Sequence, residues 1–171
     1  MDAAALRILQ APLKDKYRAE PDAAVITLKA QGTLDDQHIA CKVETGRALA
    51  VAGLHPATGG SGAELCSGDM LLEALVACAG VTLKAVATAL EIPLRHGAVK
   101  AEGDLDFRGT LGVDKAAPVG FRAIRLSFEV DTDAPQEKVD QLLRLTERYC
   151  VVFQTLNTKP QLDVGVIVAR R

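Results

Sequence analysis

A chain of 171 residues that is 49% hydrophobic, with four Phe, two Tyr and no Trp, has material for one domain with an aliphatic core. Twenty Lys and Arg against 22 Asp and Glu give a formal net charge of -2, which removes the basic excess that nucleic-acid or anionic-membrane binding calls for. Four cysteines, Cys41, Cys66, Cys78 and Cys150, contain no C-x-x-C, so neither a zinc ribbon nor a zinc finger is present, and a chain this apolar has little need of a disulfide scaffold.

The opening, Met1–Lys16, is mildly amphipathic and lacks the apolar run and small-residue cleavage site of a secretory signal. The expected compartment is therefore the cytosol, with the thiols reduced. Residues 25–31 read as a strand ending at a Gly32 turn, and the alternation over 38–44 reads as a second strand. Gly53 to Gly68, with Pro56 and five glycines, reads as an ordered loop. Ser67 then serves as a helix N-cap, with Asp69 in the first turn, and the helix runs to about Leu90, stopping before Pro93.

Between Leu71 and Leu90 only Glu73 and Lys84 are charged. About 20 apolar residues can span a bilayer, but here two charges interrupt the run, Ala outnumbers Leu and Ile, and no aromatic anchor or second span exists. A helix apolar on nearly all sides is otherwise the buried centre of an assembly. A monomer of this size cannot surround it, so a homodimer is expected. Residues 96–108 and 121–131 read as strands of an antiparallel hairpin. A helix follows from Thr132, with Pro135 near its first position and Val139, Leu142, Leu143 and Leu145 or Thr146 on one face. Cys150 ends this helix or begins the next, and Leu162–Val168 reads as a final strand. The order of elements is that of an α+β fold with segregated helices.

Cys78 lies mid-helix, where a free cysteine ordinarily serves as a small buried hydrophobe. Reactivity needs thiolate, and Cys78 is two turns beyond the helix start, so an Arg from elsewhere has to reach it. Cys150 reads either as a core residue beside Val151, Val152 and Phe153 or as a resolving thiol for a sulfenate on Cys78. The second role requires Cα atoms within about 7 Å. Cys66, just before the helix, is by position the better thiolate candidate, and Cys41 reads as inward-facing on its strand. His38 and Cys41 face opposite sides of that strand, and His55 and His96 lack partners, so no metal site is expected. Gly59-Gly60-Ser61-Gly62 is no P-loop, and Ser61 and Ser67 lack a nucleophile-elbow context.

The stretch from Ser67 to Leu83 around Cys78, together with Thr146-Glu-Arg-Tyr-Cys-Val-Val-Phe-Gln-Thr-Leu around Cys150, resembles the OsmC/Ohr family of thiol-dependent peroxidases. The likeness extends over roughly residues 20 to 168, which implies one domain over 1–171 with 1–20 as an N-terminal extension. It implies antiparallel sheets, a long central helix and an intertwined homodimer with active sites between subunits. It further implies that Cys78 is the peroxidatic thiolate, that Cys150 forms a disulfide with it, and that an external dithiol reduces the pair, with no metal or organic cofactor. The family adds an Arg and a Glu. Arg18 matches the Arg by position, with Arg47 as the other candidate. The Glu position, ten before the nucleophile, is Gly68 here, Ser67 stands where the family has Pro, and Asp69 is the nearby acid. Val151 follows Cys150 where the family has Pro. The function implied is reduction of organic hydroperoxides, and hydrogen peroxide beside them, in oxidative stress defence. The alternatives are a binding protein for a small apolar ligand and a redox sensor acting through a Cys66–Cys78 disulfide.

Overall fold

The computed structural model describes residues 2–5, 7, 8, 10, 11, 19, 31–34, 40–44 and 49–168 except 113. Three short strands, β1 (Gln31–Leu34), β2 (Ala40–Glu44) and β3 (Leu49–Gly53), form an antiparallel meander with Gln31 opposite Glu44 and Ala40 opposite Gly53. Of the expected first strand only Gln31 lies within the described residues, and the second is seen from Ala40. β4 (Leu65–Cys66) then joins β3 in parallel, so this sheet is not wholly antiparallel as expected. The loop between them turns through a 3-10 helix, Pro56–Thr58, closed by Gly59 at φ 90°. His55 Nδ1 accepts the Ala57 N–H at 3.0 Å and its ring stacks on Phe107 at 4.9 Å, which orders the glycine-rich run.

The long helix α1 spans Ser67–Ala89. Its N-cap is Cys66, one residue earlier than expected. Ser67 is already helical, and no side chain caps the first amides. At the other end Glu91 takes the left-handed conformation (φ 57°), and the Ile92 N–H returns to the Ala87 carbonyl at 2.9 Å. This is a Schellman closure with Glu where Gly is usual. It carries Ile92 into a buried cluster with Leu83, Ala87 and Leu142. Glu91→Gly removes roughly 1 kcal/mol of left-handed strain, offset in part by added unfolded-chain entropy. The Glu91–Arg7 ion pair lost with it (3.2 Å) is exposed and contributes little. The expected result is a gain of about 0.5 kcal/mol, seen as a rise of a few degrees in Tm; a fall in Tm contradicts the strain assignment.

β5 (His96–Asp104) and β6 (Ala123–Asp131) pair as the expected antiparallel hairpin, His96 opposite Asp131. Their alternation turns Val99, Ala101, Ile124, Leu126, Phe128 and Val130 inward onto the helices. The first strand stops at Asp104 rather than at 108, because the Asp106 carboxylate accepts the Arg108 N–H and opens a one-turn helix, α2 (Phe107–Thr110). Two further helices follow, α3 (Gln136–Tyr149) and α4 (Val151–Asn157). Pro135 is the N-cap of α3. Cys150, at φ -72° and ψ 106°, is at once the C-cap of α3 and the N-cap of α4. Leu142 of α3 buries fully against the cluster at the end of α1.

Leu162–Val168 is not the expected strand. Among the described residues it has no neighbouring strand, and it is exposed, Val164 at 99% and Ile167 at 98%. Its alternating Leu162, Val164, Val166 and Val168 carry the pattern, but a strand also needs ladder partners for its backbone, and no described edge of this chain meets it.

Candidate thiol site

α1 buries Leu75, Ala79, Leu83 and Ala87, a row at four-residue spacing, against the hairpin and α3. Leu75 and Ala79 enclose the fully buried Cys150, and Cys78, Val152 and Phe153 pack on the same cluster. The break between α3 and α4 thus sets one cysteine beside the other, which lies mid-helix on α1. The two thiols pack on one cluster, and each perturbs the ionisation of the other.

The two thiols differ in acidity. Burial alone pushes the Cys78 thiol up. The Val152 N–H, the Cys150 S–H, the Val151 N–H and the Thr82 hydroxyl outweigh that and hold it below the ordinary thiol range. The first amides of a helix have no intrahelical acceptor and favour an anion. The start of α4 therefore contributes to the acidity of Cys78. Burial pushes Cys150 up; the Phe153 N–H opposes this, and the neighbouring Cys78 adds to the rise. One sulfur is predisposed to ionise while the other keeps its proton.

Val151, Val152 and Thr82 are the residues that sequence reasoning missed. Thr82 stands one helical turn beyond Cys78, with its Oγ1 2.7 Å from the Cys78 carbonyl, and that spacing was a readable signal. The amides of Val151 and Val152 had no signal beyond the helix break at Cys150.

The other candidates are not brought to this pair. Asp69 precedes Cys78 by nine residues, which on a helix is about half a turn out of phase and roughly 14 Å along the axis. It lines a separate cleft of about 470 Å³ with Glu73, Val76 and Ala101. Its expected role, holding the Arg in place of the family's Glu, turns on Arg18 or Arg47, which lie outside the described residues. Gly68, the family's Glu position, packs under Leu105 and Phe121. Cys66 begins the helix about 18 Å from Cys78 along the axis, far outside the roughly 7 Å reach of a disulfide within the chain. Arg18, Arg47 and His38 lie outside the described residues, and of Cys41 only the backbone, in β2, is described.

The face of α1 that carries Cys78 is open. Leu71, Ala74, Cys78, Val81 and Ala85 recur at the three- and four-residue spacing of one stripe, with Leu71 37% and Val81 72% exposed. The helix is long and apolar enough to cross a bilayer, and only 28% of its most apolar window is buried in the chain.

Compared with known proteins, residues 60–165, more than half of the chain, match the family of OsmC-like proteins. An OsmC-like protein from Mycoplasma pneumoniae superposes with a TM-score of 0.64 at 18% identity, over 84% of this chain and 96% of that one. An organic hydroperoxide resistance protein from Elizabethkingia anophelis gives 0.62 at 14% identity, over 80% and 91%. A protein from Legionella pneumophila, described as an organic hydroperoxide resistance protein OsmC and predicted redox protein, gives 0.60 at 18%, over 78% and 90%. No curated protein sequence matches the chain.

Proposed function

Because the chain belongs to the OsmC-like protein family, we propose that it is a thiol-dependent peroxidase that reduces organic hydroperoxides in the cytosol as a homodimer. The observation that carries this reading is the adjacent pair of unequal thiols, Cys78 held acidic and Cys150 held protonated. The Cys78 thiolate attacks the distal oxygen of the hydroperoxide. The S–O bond forms as the O–O bond breaks, sulfur loses two electrons, and the alkoxide leaves as alcohol after taking a proton. Cys150 is the nearest described thiol donor, and giving up its proton leaves it a thiolate. That thiolate attacks the Cys78 sulfenic acid, and the S–O bond breaks as the disulfide forms, with the departing hydroxide taking a proton from solvent to leave as water. An external dithiol then returns both sulfurs to thiols.

Two further features support the details. Organic substrates suit a nucleophile that stands in an apolar stripe, Leu71 to Ala85, better than hydrogen peroxide does. The same stripe supports the dimer, since a second copy laid on it removes Leu71 and Val81 from water. Arg18, or Arg47 in its place, is assigned by the family resemblance to the charge developing on the leaving oxygen.

Cys150→Ser tests the reading. With one equivalent of cumene hydroperoxide the variant is expected to accumulate a sulfenate on Cys78, trapped by dimedone and located by peptide mass spectrometry. A Cys78 thiol that stays free in excess peroxide overturns the assignment.

A further inference from the structure

Between the start of β6 and α4 lies a cleft of about 340 Å³, within the range of roughly 300–1,000 Å³ that small-molecule sites occupy. Its floor is Leu75, Ile124, Leu126 and Phe153, which also pack around Cys150 and so belong to the fixed core. Phe121 forms one wall, and its ring sits so close over Gly103 that a Cβ there would meet it at 2.4 Å. The apolar surface is therefore set by packing before any ligand arrives. Two polar groups stand at the rim, Arg122 and Asn157. The Asp106 carboxylate near Arg122 is already held by Arg108 at 3.0 and 2.7 Å, while Arg122 stands off at 3.8 Å with its side chain exposed. An apolar trough whose lining includes an arginine held only loosely, at 3.8 Å, by a carboxylate that Arg108 already engages matches an amphipathic anion in shape and in charge. A carboxylate suits the planar fork, which can donate to both oxygens at once.

We propose that this cleft binds a medium-length aliphatic carboxylate, the hydrocarbon lying on Leu75, Leu126 and Phe153 and the head group taken by Arg122. Asn157 supplies the second polar contact at the mouth. No step of this binding uses Cys78, so it stands or falls apart from the peroxidase reading.

The test is calorimetric titration of the full, reduced chain with decanoate, beside Arg122→Gln and Ala123→Trp. Both substituted residues are exposed, so their thermal unfolding is expected to match that of the parent protein. Ala123 lines the cleft, and Trp there fills it. The proposal expects saturable binding of one decanoate per chain, weakened about tenfold or more in Arg122→Gln and lost in Ala123→Trp. Decanol is expected to bind the parent and Arg122→Gln alike. Equal decanoate affinity in the parent and Arg122→Gln overturns the proposal, as does the absence of saturable binding. A change of oligomeric state in Ala123→Trp without any decanoate binding to the parent also overturns it, and makes the cleft a contact between subunits.

Discussion

Cys78→Ser is expected to lower hydroperoxide turnover by about a thousandfold or more. A serine hydroxyl in the same place meets the same amides of Val151 and Val152, but its acidity is too far from neutral for them to ionise it. Sulfur is also the atom that accepts the oxygen, so no rearrangement of partners restores the reaction. The fold is expected to survive, because the substitution nearly conserves volume at a half-buried position. The pH dependence follows from the direction of the shift. Since the Cys78 thiol lies below the ordinary thiol range, the rate of thiol oxidation in the wild-type protein rises with pH up to that lowered value and then levels off. A free thiol keeps rising to about 8.5. Rates of sulfenate formation by stopped flow at a series of pH values, with Cys78→Ser as the blank, check both parts. Turnover retained in Cys78→Ser moves the chemistry to another cysteine.

Val81→Lys is expected to separate the subunits while leaving each chain folded. Val81 is 72% exposed in the single chain, so a lysine there costs the isolated fold little. In the proposed dimer, where the Cys78 stripe of α1 faces a second copy, it buries an unpaired charge one turn from Lys84. Such a charge costs about 3–5 kcal/mol, which weakens dimerisation by more than about a hundredfold. Sedimentation equilibrium against the parent protein, with far-UV circular dichroism as the control for folding, reads the effect. A variant that sediments as the parent does removes this face from the interface.

Periodicity made much of the fold legible. The run from Ser67 to Ala89, the alternation of β6 and the four-residue spacing of α3 are local signals, and each element formed where its pattern stood. The ends were less readable, because caps depend on neighbours. Cys66 took the position assigned to Ser67, and the Asp106 turn cut β5 short. Leu162–Val168 had a strand's pattern but no partner among the described residues. At the site, the meeting of Cys78 and Cys150 was not legible from spacing. It depends on how α3 and α4 break at Cys150 and lean on Leu75 and Ala79. For the same reason the contribution of the α4 amides to thiol acidity, made across a tertiary contact, was not legible. The phase of Asp69 was readable in advance, since nine residues of helix place two side chains on opposite faces.

The central claim is that Cys78 and Cys150 act as one redox pair, and oxidation of the reduced protein with cumene hydroperoxide tests it most directly. Free thiols are counted over time and the products mapped by peptide mass spectrometry. The account predicts rapid loss of two thiols per chain and a Cys78–Cys150 disulfide, with Cys66 left free. Thiols that persist in excess peroxide, or a disulfide that joins Cys66 instead, would contradict it.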